Sequence, residues 1–224
     1  EKERFLGKDG KAWEVNVRAT QHVVDACRES GKRLLYLSTD FVFDGTNDIY
    51  TEEDMPNPTG WYAVTKHEAE RCVAALGQNS LIVRIAFPYR AKNDVKKDFL
   101  HRMLDVLGSG KDLMAPSDQI FVPTFIDDIA TVLRFLIDKN VSGIYHAVGS
   151  QSLSPFEVAQ KVAASFGLPL GLVKSMTFAD FYKGRAPRPF HAHLSNVKIE
   201  KFGLKMSTFD EGLEKIKSQL AKSD

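Results

Sequence analysis

The chain has 224 residues, of which 43% are hydrophobic, so it can bury a large core as one domain, or as one domain with a small lobe. Its 30 basic and 29 acidic residues nearly cancel, which excludes a broad electrostatic field for nucleic acid or for a membrane surface. No apolar run reaches the length of a membrane span and no signal peptide is recognisable, and we therefore expect a cytoplasmic protein.

The first strong element is a helix predicted over residues 12–29. Apolar residues recur on one face at the spacing of a buried stripe, which comprises Trp13, Thr20, Val23, Val24 and Cys27. Asn16 falls on the same stripe, where its amide requires hydrogen-bond partners. Two interpretations of Asn16 stay open at this point: it braces a neighbouring loop, or it acts near a functional site.

A short apolar run over residues 34–37 leads to Ser38 and Thr39, and a turn-like segment precedes it. This pattern predicts a buried parallel strand over residues 34–39, whose carboxyl end opens into a ligand crevice. The connection that follows, from Phe41 to Asp54, is apolar at first and then acidic. It is too long for a tight turn, and long loops at this end of a strand often form part of a binding site.

The next helix is predicted to begin after Pro58, with Thr59 as its N-cap. Tyr62 and Lys66 are four residues apart and therefore project from one face of this helix, at the border of the stripe that should be buried. A lysine in that position costs desolvation free energy unless a specific group receives it. Residues 34–66 are therefore our candidate active site.

The remaining elements alternate between strands and helices. Strands are predicted over residues 80–87, which include Arg84, and over residues 143–148; helices are predicted over residues 94–107, around Asp127 and Asp128, from Ser154 with a capping box, and over residues 209–220. This alternation predicts an α/β fold, a Rossmann-like doubly wound parallel sheet with a small C-terminal substrate-binding lobe. No G-x-G-x-x-G cluster occurs in the sequence, so we expect the fold to be incomplete at its amino terminus.

Three side chains suggest the chemistry. A tyrosine is a poor acid or base near neutrality because its reference pKa is about 10, and a cation such as Lys66 favours the phenolate of Tyr62. The Thr39 hydroxyl can hold a substrate carbonyl against the phenol. Together they suit reversible hydride transfer, in which the carbonyl oxygen gains a proton while its carbon gains hydride from a nicotinamide. The Tyr-x-x-x-Lys spacing is weak evidence by itself, and its context strengthens it.

A longer set of motifs carries a family resemblance. It includes residues 37–46, the acidic and proline-rich residues 50–58, the Tyr62/Lys66 pair, Asn16, Val17, Ala19, Thr20, Arg84, Asp118, Gln119, Pro123, Thr124, Asp128, Ala130, Arg188, Pro189 and Leu194. Over nearly its whole length the chain resembles the extended short-chain dehydrogenase/reductase family, and within that family the dTDP-4-dehydrorhamnose reductase branch.

The resemblance implies a role for each candidate residue. Thr39, Tyr62 and Lys66 would be the catalytic triad, with Tyr62 as proton donor and Lys66 also on the nicotinamide ribose of NADPH or NADH. Ser38, Ala86, Phe87 and Pro88 would line the nicotinamide, and Thr39, Asp40, Phe41 and Arg188 would face a nucleotide-sugar substrate. Asn16 would support the triad through its helix, and no metal is implied. A homodimer is a further expectation.

The chain also departs from the family pattern. Ala63 and Phe121 stand where the family usually has glycine, and Ala192 and Ser195 stand where it has serine and aspartate. The family's first strands and glycine-rich loop have no counterpart here, and we expect a carboxy-terminal portion that lacks roughly two βα units. Residues 1–88 would then be the remainder of the dinucleotide-binding domain, and residues 89–224 the rest of the sheet with the substrate-binding lobe.

Two alternatives stay open. The chain is also similar to the regulatory beta subunit of methionine adenosyltransferase, a non-catalytic relative that binds a partner enzyme, and the changes at Ala192 and Ser195 allow this reading. A nucleotide-sugar epimerase of the same superfamily is the other alternative. Turnover of a keto sugar would separate the reductase from the binding subunit.

Overall fold

The computed structural model describes residues 2–92 and 96–222 of the chain. The strands are β1 (Leu34–Thr39), β2 (Ser80–Ile85), β3 (Pro88–Tyr89), β4 (Leu113–Pro116), β5 (Thr124–Phe125), β6 (Gly143–His146) and β7 (Val173–Met176). The first helix, α1, consists of Lys11–Trp13, a π-helical turn Glu14–Arg18, and Ala19–Ser30. The other helices are α2 (Trp61–Ala74), α3 (Phe99–Gly108), α4 (Ile126–Asp138), α5 (Pro155–Ser165), α6 (Phe178–Phe181), α7 (Val197–Glu200) and α8 (Phe209–Ala221).

Parallel pairing confirms the predicted class of fold. β1 pairs with β2, and β2 pairs with β6, so that the three form one parallel sheet. The register opposes Thr39 to Ile85, and Ser38 to Arg84. The carboxyl ends of parallel strands lie at one edge of a sheet, and the polar residues that end β1 therefore meet the segment that follows β2. The architecture is Rossmann-like.

The second half of the chain adds two short parallel pairs, β3 with β5 and β4 with β7. Helix α5 packs on both β4 and β7 and also on α3. It starts as predicted, because Ser154 and Glu157 form a capping box and Pro155 occupies the first turn. A largely aromatic and aliphatic cluster, which we call the carboxy-terminal core, joins these elements: Tyr89, Leu100, Phe121, Phe125, Leu153, Val158, Val162, Phe209, Leu213 and Ile216.

Several predicted boundaries need correction. Helix α2 begins at Trp61 with Gly60 as its N-cap, and Thr59 does not cap it. Helix α3 begins at Phe99, where the Asp98 carboxylate accepts the His101 N–H; of the predicted start, residues 94 and 95 lie outside the described residues. The strands predicted to reach residues 87 and 148 end at residues 85 and 146.

The stripe predicted for α1 is partly wrong. Val24 is fully buried, whereas 47% of the Val23 surface is exposed. The π-helical turn Glu14–Arg18 accommodates an extra residue, so that the residues on either side of it do not continue one 3.6-residue stripe. Val17, which the predicted stripe omits, is buried instead.

Candidate active site

The site is assembled where β1 ends and α2 begins. Thr39 is the last residue of β1, and its hydroxyl accepts the Phe41 N–H and donates to Asp40 Oδ1 at 2.9 Å. Tyr62 and Lys66 lie in the first two turns of α2, which packs against β1 and β2. The structure thus brings the three residues to the carboxyl edge of the sheet, where a parallel α/β fold opens a ligand crevice.

Tyr62 is the accessible member of the group, with 52% of its surface exposed. Its ring meets the Phe41 ring edge to face at 6.3 Å. Desolvation and the charge of Asp40 raise the pKa of the phenol, while the Thr39 hydroxyl opposes the rise. From the sequence we expected the lysine cation to lower this pKa. That expectation was wrong because Asp40, and not Lys66, is the charged group that acts on the phenol.

Lys66 is half-buried and finds its partner on the strand. Its Nζ donates to the Leu37 carbonyl oxygen at 2.8 Å and lies 4.0 Å from the centre of the Tyr36 ring. Desolvation lowers the pKa of Lys66 to about 8, and the negative charge of Glu70 opposes this. The backbone carbonyl and the aromatic face are therefore the groups that receive a lysine on this side of the helix.

Asp40 is the most perturbed acid of the site. It is buried, and its Oδ2 has no hydrogen-bond partner among the described residues. Burial raises the pKa of this carboxyl to about 7, although the hydrogen bond from Thr39 and the charge of Arg188 lower it. A carboxyl group that titrates near neutrality can hold or release a proton beside Tyr62.

Asn16 reaches the site through a second residue. Its Nδ2 donates to the Thr65 hydroxyl at 2.9 Å, and that hydroxyl donates to the Tyr62 carbonyl oxygen at 2.8 Å. The Asn16 amide thus braces the first turn of α2, the helix that carries Tyr62, and not a loop as the first interpretation had it. Thr65 is fully buried, so the chain of hydrogen bonds lies inside the protein.

An aromatic wall stands opposite Tyr62, in the segment that follows β2. Phe87 adopts a positive φ of 38°. The centre of its ring lies 5.9 Å from that of the Phe41 ring and 4.5 Å from that of the Phe121 ring. The neighbouring Ala86 is buried and Pro88 is exposed. This backbone conformation is uncommon for an aromatic residue, and its cost is of order 1–3 kcal/mol, which the ring contacts offset.

A cavity of about 860 Å³ begins beyond Phe87 and Pro88. Its cationic lining residues are Arg90, Lys96, Lys97, Arg102, Arg185 and Arg188. Arg188 stacks between the rings of Phe41 and Tyr182, with Cζ at 5.5 and 5.2 Å from their centres, and Arg185 lies over Phe181. Among the described residues neither of these two arginines forms an ion pair with a carboxylate. Thr39, Tyr62 and Lys66 do not line the cavity; Phe41, which contacts Tyr62 as well as Phe87 and Arg188, connects it to them.

Sequence reasoning missed one buried group. Glu70 accepts two hydrogen bonds from Arg84, at 3.0 Å from Nε and 2.8 Å from Nη2, and both side chains are almost fully buried. Ser38, expected to line the nicotinamide, is buried beside Glu70. The sequence contained a signal for this pair: an arginine lies within an apolar strand, and a glutamate follows Lys66 by four residues on the facing helix.

Residues 2–92 and 96–222 contain no group of three or more histidine, cysteine or acidic side chains that could hold a metal ion. Over the same residues, no helix has the length and the apolar character needed to cross a membrane.

Comparison with known proteins gives two kinds of relatives. The chain is 30% identical over 200 residues to methionine adenosyltransferase 2 subunit beta of Xenopus laevis, an alignment that covers 87% of this chain and 59% of that protein. It is 32% identical over 224 residues to dTDP-4-dehydrorhamnose reductase of Aggregatibacter actinomycetemcomitans, covering 92% of this chain and 74% of the relative. The chain thus spans about three fifths of the length of the adenosyltransferase subunit.

Solved structures that resemble this chain include reductases of the same name. A dTDP-4-dehydrorhamnose reductase from Bacillus anthracis str. Ames, in complex with NADP, superposes with a TM-score of 0.87 at 28% identity, over 98% of this chain and 75% of that one. The Clostridium acetobutylicum reductase gives a TM-score of 0.87 at 26% identity, over 99% and 76%. The family model of the RmlD substrate binding domain matches residues 7–222. The chain therefore belongs to the RmlD substrate-binding domain family.

Proposed function

We propose that this chain carries the catalytic face and the substrate lobe of a reductase that acts on a nucleotide-linked 4-keto-6-deoxy sugar with NADPH, or with NADH, as the cofactor. The observation that carries the proposal is the meeting of Thr39, Tyr62 and Lys66 at the carboxyl edge of β1, beside a cationic and aromatic cavity. The division at residue 88 stays part of the proposal, with the catalytic motif before it and the substrate lobe after it.

In this proposal Tyr62 donates a proton to the carbonyl oxygen of the sugar. Its raised pKa keeps the phenol protonated near neutrality, and its exposure allows a substrate to reach it. The Thr39 hydroxyl hydrogen-bonds to the same oxygen and holds it against the phenol. After the proton is delivered, the Tyr62 phenolate has to be reprotonated before the next turnover.

The residues around Lys66 fit a nicotinamide nucleoside. The ammonium group is already directed to the sheet edge by the Leu37 carbonyl, so it can bind ribose hydroxyls there, and Ala86, Phe87 and Pro88 form the opposite wall. The cofactor, when bound, supplies the hydride. Lys66, Tyr62 and this wall position it, and Phe87 excludes water from one side.

The cavity fits the nucleotide end of the substrate. A nucleoside diphosphate carries negative charge and a planar base, which match the guanidinium groups of Arg185 and Arg188 and the aromatic side chains beside them. Asp98 is the acidic side chain of the described lining. It is hydrogen-bonded to His101 and to the Arg90 N–H, so the electrostatic field of the cavity stays positive.

A turnover assay tests the proposal. The full-length protein is incubated with dTDP-4-dehydrorhamnose and reduced nicotinamide cofactor, and cofactor oxidation and the reduced sugar are both measured. We expect oxidation in equal amount to sugar product, and a matched sample without sugar should show none. Absence of turnover with both NADPH and NADH would overturn the assignment.

A second function follows from the other relatives. The similarity to methionine adenosyltransferase 2 subunit beta favours a non-catalytic subunit that binds an adenosyltransferase. Under that function the full-length protein forms a complex with a methionine adenosyltransferase catalytic chain during size-exclusion chromatography and does not consume keto sugar. Turnover without complex formation favours the reductase.

A further inference from the structure

The interior next to the proposed active site holds a buried ion pair that the reaction itself does not use. Arg84 donates hydrogen bonds to Glu70 from Nε and Nη2, and the exposed fractions of the two side chains are 1% and 4%. Burying two charges costs desolvation free energy that only good geometry and further hydrogen bonds can offset. Such a pair is therefore poor evidence of a purely stabilising role.

The position of the pair relates it to the site. Glu70 follows Lys66 by four residues and Tyr62 by eight, so all three lie along one face of α2. Arg84 lies on β2 directly opposite Ser38, the residue before Thr39. The pair thus joins the helix that carries the phenol and the ammonium group to the strand pair that carries the threonine hydroxyl.

We propose that Glu70, held in place by Arg84, is a positioning residue for Lys66: it fixes α2 against the sheet and presents a negative charge one helical turn from the ammonium group. The inference rests on the proposed function, because in that function the positively charged ammonium group of Lys66 binds the ribose of the cofactor. Glu70 does not touch the reacting atoms and acts through the lysine.

The charges around Lys66 support this. Burial lowers the pKa of Lys66 to about 8, and Glu70 is the charged group that opposes the fall. From β1, Lys66 faces the Leu37 carbonyl and the Tyr36 ring, and burial raises the pKa of Tyr36 so that this phenol stays neutral. Removing the carboxylate would deprotonate a larger share of Lys66 near neutral pH.

The groups around Glu70 keep it ionised. Burial opposes the charge, but His67, Arg84 and Ser38 outweigh it and lower the pKa of Glu70 to about 2. His146 on β6 adds no charge near neutral pH, because burial and the nearby guanidinium group lower its pKa to about 3. Glu70 therefore presents a constant charge to Lys66 over the range in which the lysine titrates.

The test compares Glu70→Gln with Glu68→Gln in the full-length protein. Glu68 lies on the same helix, but its partner Arg71 is exposed, and the chemical change is the same. Lys66 is titrated by NMR of ¹³C-labelled lysine, with its signal assigned by loss in a Lys66→Arg sample. We expect Glu70→Gln to lower the Lys66 pKa by about one unit, since an opposite charge within ~4–6 Å shifts a pKa by about 1–3 units. Glu68→Gln should leave it unchanged.

Two further measurements make the outcome decisive. If Glu70→Gln does not fold because Arg84 is left unpaired, the Lys66 titration is read in Glu70→Gln/Arg84→Met and compared with Arg84→Met, so that the Glu70 charge is the difference between the two samples. The alkaline limb of the turnover profile should move to lower pH together with the titration. A Lys66 pKa that is unchanged while the melting temperature falls would overturn the inference and leave a structural pair. An inactive parent protein would overturn the proposed function. The Lys66 titration does not require turnover, so it would still decide the role of Glu70.

Discussion

The two halves of the molecule are held together differently. Around β1, β2 and α2 the interior contains ionisable and polar groups, which we call the polar interior: Ser38, Asp40, Glu70, Arg84 and His146. The carboxy-terminal core contains aromatic and aliphatic side chains around Tyr89 and Phe209. Buried polar groups cost free energy unless they are paired, whereas apolar burial stabilises in proportion to area. Apolar clusters also pack around β2, so the difference between the regions is that the buried charges of Asp40, Glu70 and Arg84 lie beside the candidate active site.

The difference has a signature in pH. Glu70 and His146 both have pKa values below the ordinary ones, so protons bind more readily to the unfolded chain. Stability is therefore lost as the pH falls. The loss occurs between about pH 6.5 and 3 for His146, and between about pH 4.5 and 2 for Glu70. Asp40 has a raised pKa and acts in the opposite direction. The carboxy-terminal core should contribute equally from acid to about pH 8, because burial raises the pKa of Tyr89 and this phenol stays neutral there.

The largest effect that we expect is on turnover. Tyr62→Phe removes the proposed proton donor and should lower the turnover of the full-length protein by about 10²–10⁴-fold. Cofactor binding, measured by calorimetry, should be nearly unchanged, because the ring remains. Tyr145→Phe, on β6 and away from the site, is the control and should retain activity. Normal turnover in Tyr62→Phe would refute the assignment of the donor.

The next effect is a gain of stability in the polar interior. Asp40→Asn removes a carboxyl that ionises at about 4 in the unfolded chain and at about 7 in the folded one, so the parent loses stability as the pH rises between these values. At about pH 8 the variant should be more stable by up to about 4 kcal/mol, and near pH 4 the two should be similar. Chemical denaturation at both pH values measures this.

Asp44→Asn provides the contrast within the same loop. The Asp44 carboxylate accepts hydrogen bonds from Tyr50, Thr46 and Asn57, and these hold its pKa below the ordinary range. Its replacement should therefore destabilise the protein at about pH 8. If both variants were destabilised to the same extent at that pH, the raised pKa of Asp40 would be wrong.

A cavity in the carboxy-terminal core should have a cost that does not depend on pH. Leu213→Ala truncates a buried side chain and should lower the free energy of unfolding by about 2–5 kcal/mol. Leu220→Ala, at the half-exposed end of the same helix, should cost less than about 1 kcal/mol. Both are measured by denaturation near pH 5 and pH 8. A Leu213→Ala cost that differed between these conditions would contradict the contrast between the two interiors.

The smallest effect concerns the cap of α8. The Thr208 hydroxyl accepts the Glu211 N–H, and the Glu211 carboxylate accepts the Thr208 N–H. Thr208→Ala should cost about 1 kcal/mol of unfolding free energy. Thr131→Ala removes an exposed hydroxyl that donates to the Asp127 carbonyl in α4, and it should be close to neutral. An equal loss in both variants would mean that the capping box contributes nothing of its own.

Much of the fold was predictable because its signals are local. The apolar run that forms β1 gave the bounds Leu34–Thr39, and the serine, proline and glutamate at residues 154–157 gave the start of α5. The short strands β3, β4, β5 and β7 were not predicted, since two to four residues carry no period and their partners are distant in sequence. The exposed Val23 was missed because a π-helical turn leaves no mark in an apolar stripe.

The candidate site was predictable as a set of residues but not as an electrostatic arrangement. The sequence placed Tyr62 and Lys66 on one helical face and Thr39 at a strand end, as the structure has them. The influence of Asp40 on the phenol depends on burial, which sequence does not give. The pairing of Glu70 with Arg84 joins a helix to a strand and depends on the register of the sheet.

Tyr50 has a consequence for the order in which the molecule is made. Its phenol accepts the N–H groups of Gly45, Thr46 and Asn47 and donates to Asp44, so one side chain shapes the loop after β1. Its backbone meanwhile bonds to residues 193 and 195, far along the chain. During synthesis the loop can reach its final form only after the segment around residue 195 has left the ribosome. This loop is therefore completed late in synthesis, because its contacts join residues that are far apart in the sequence.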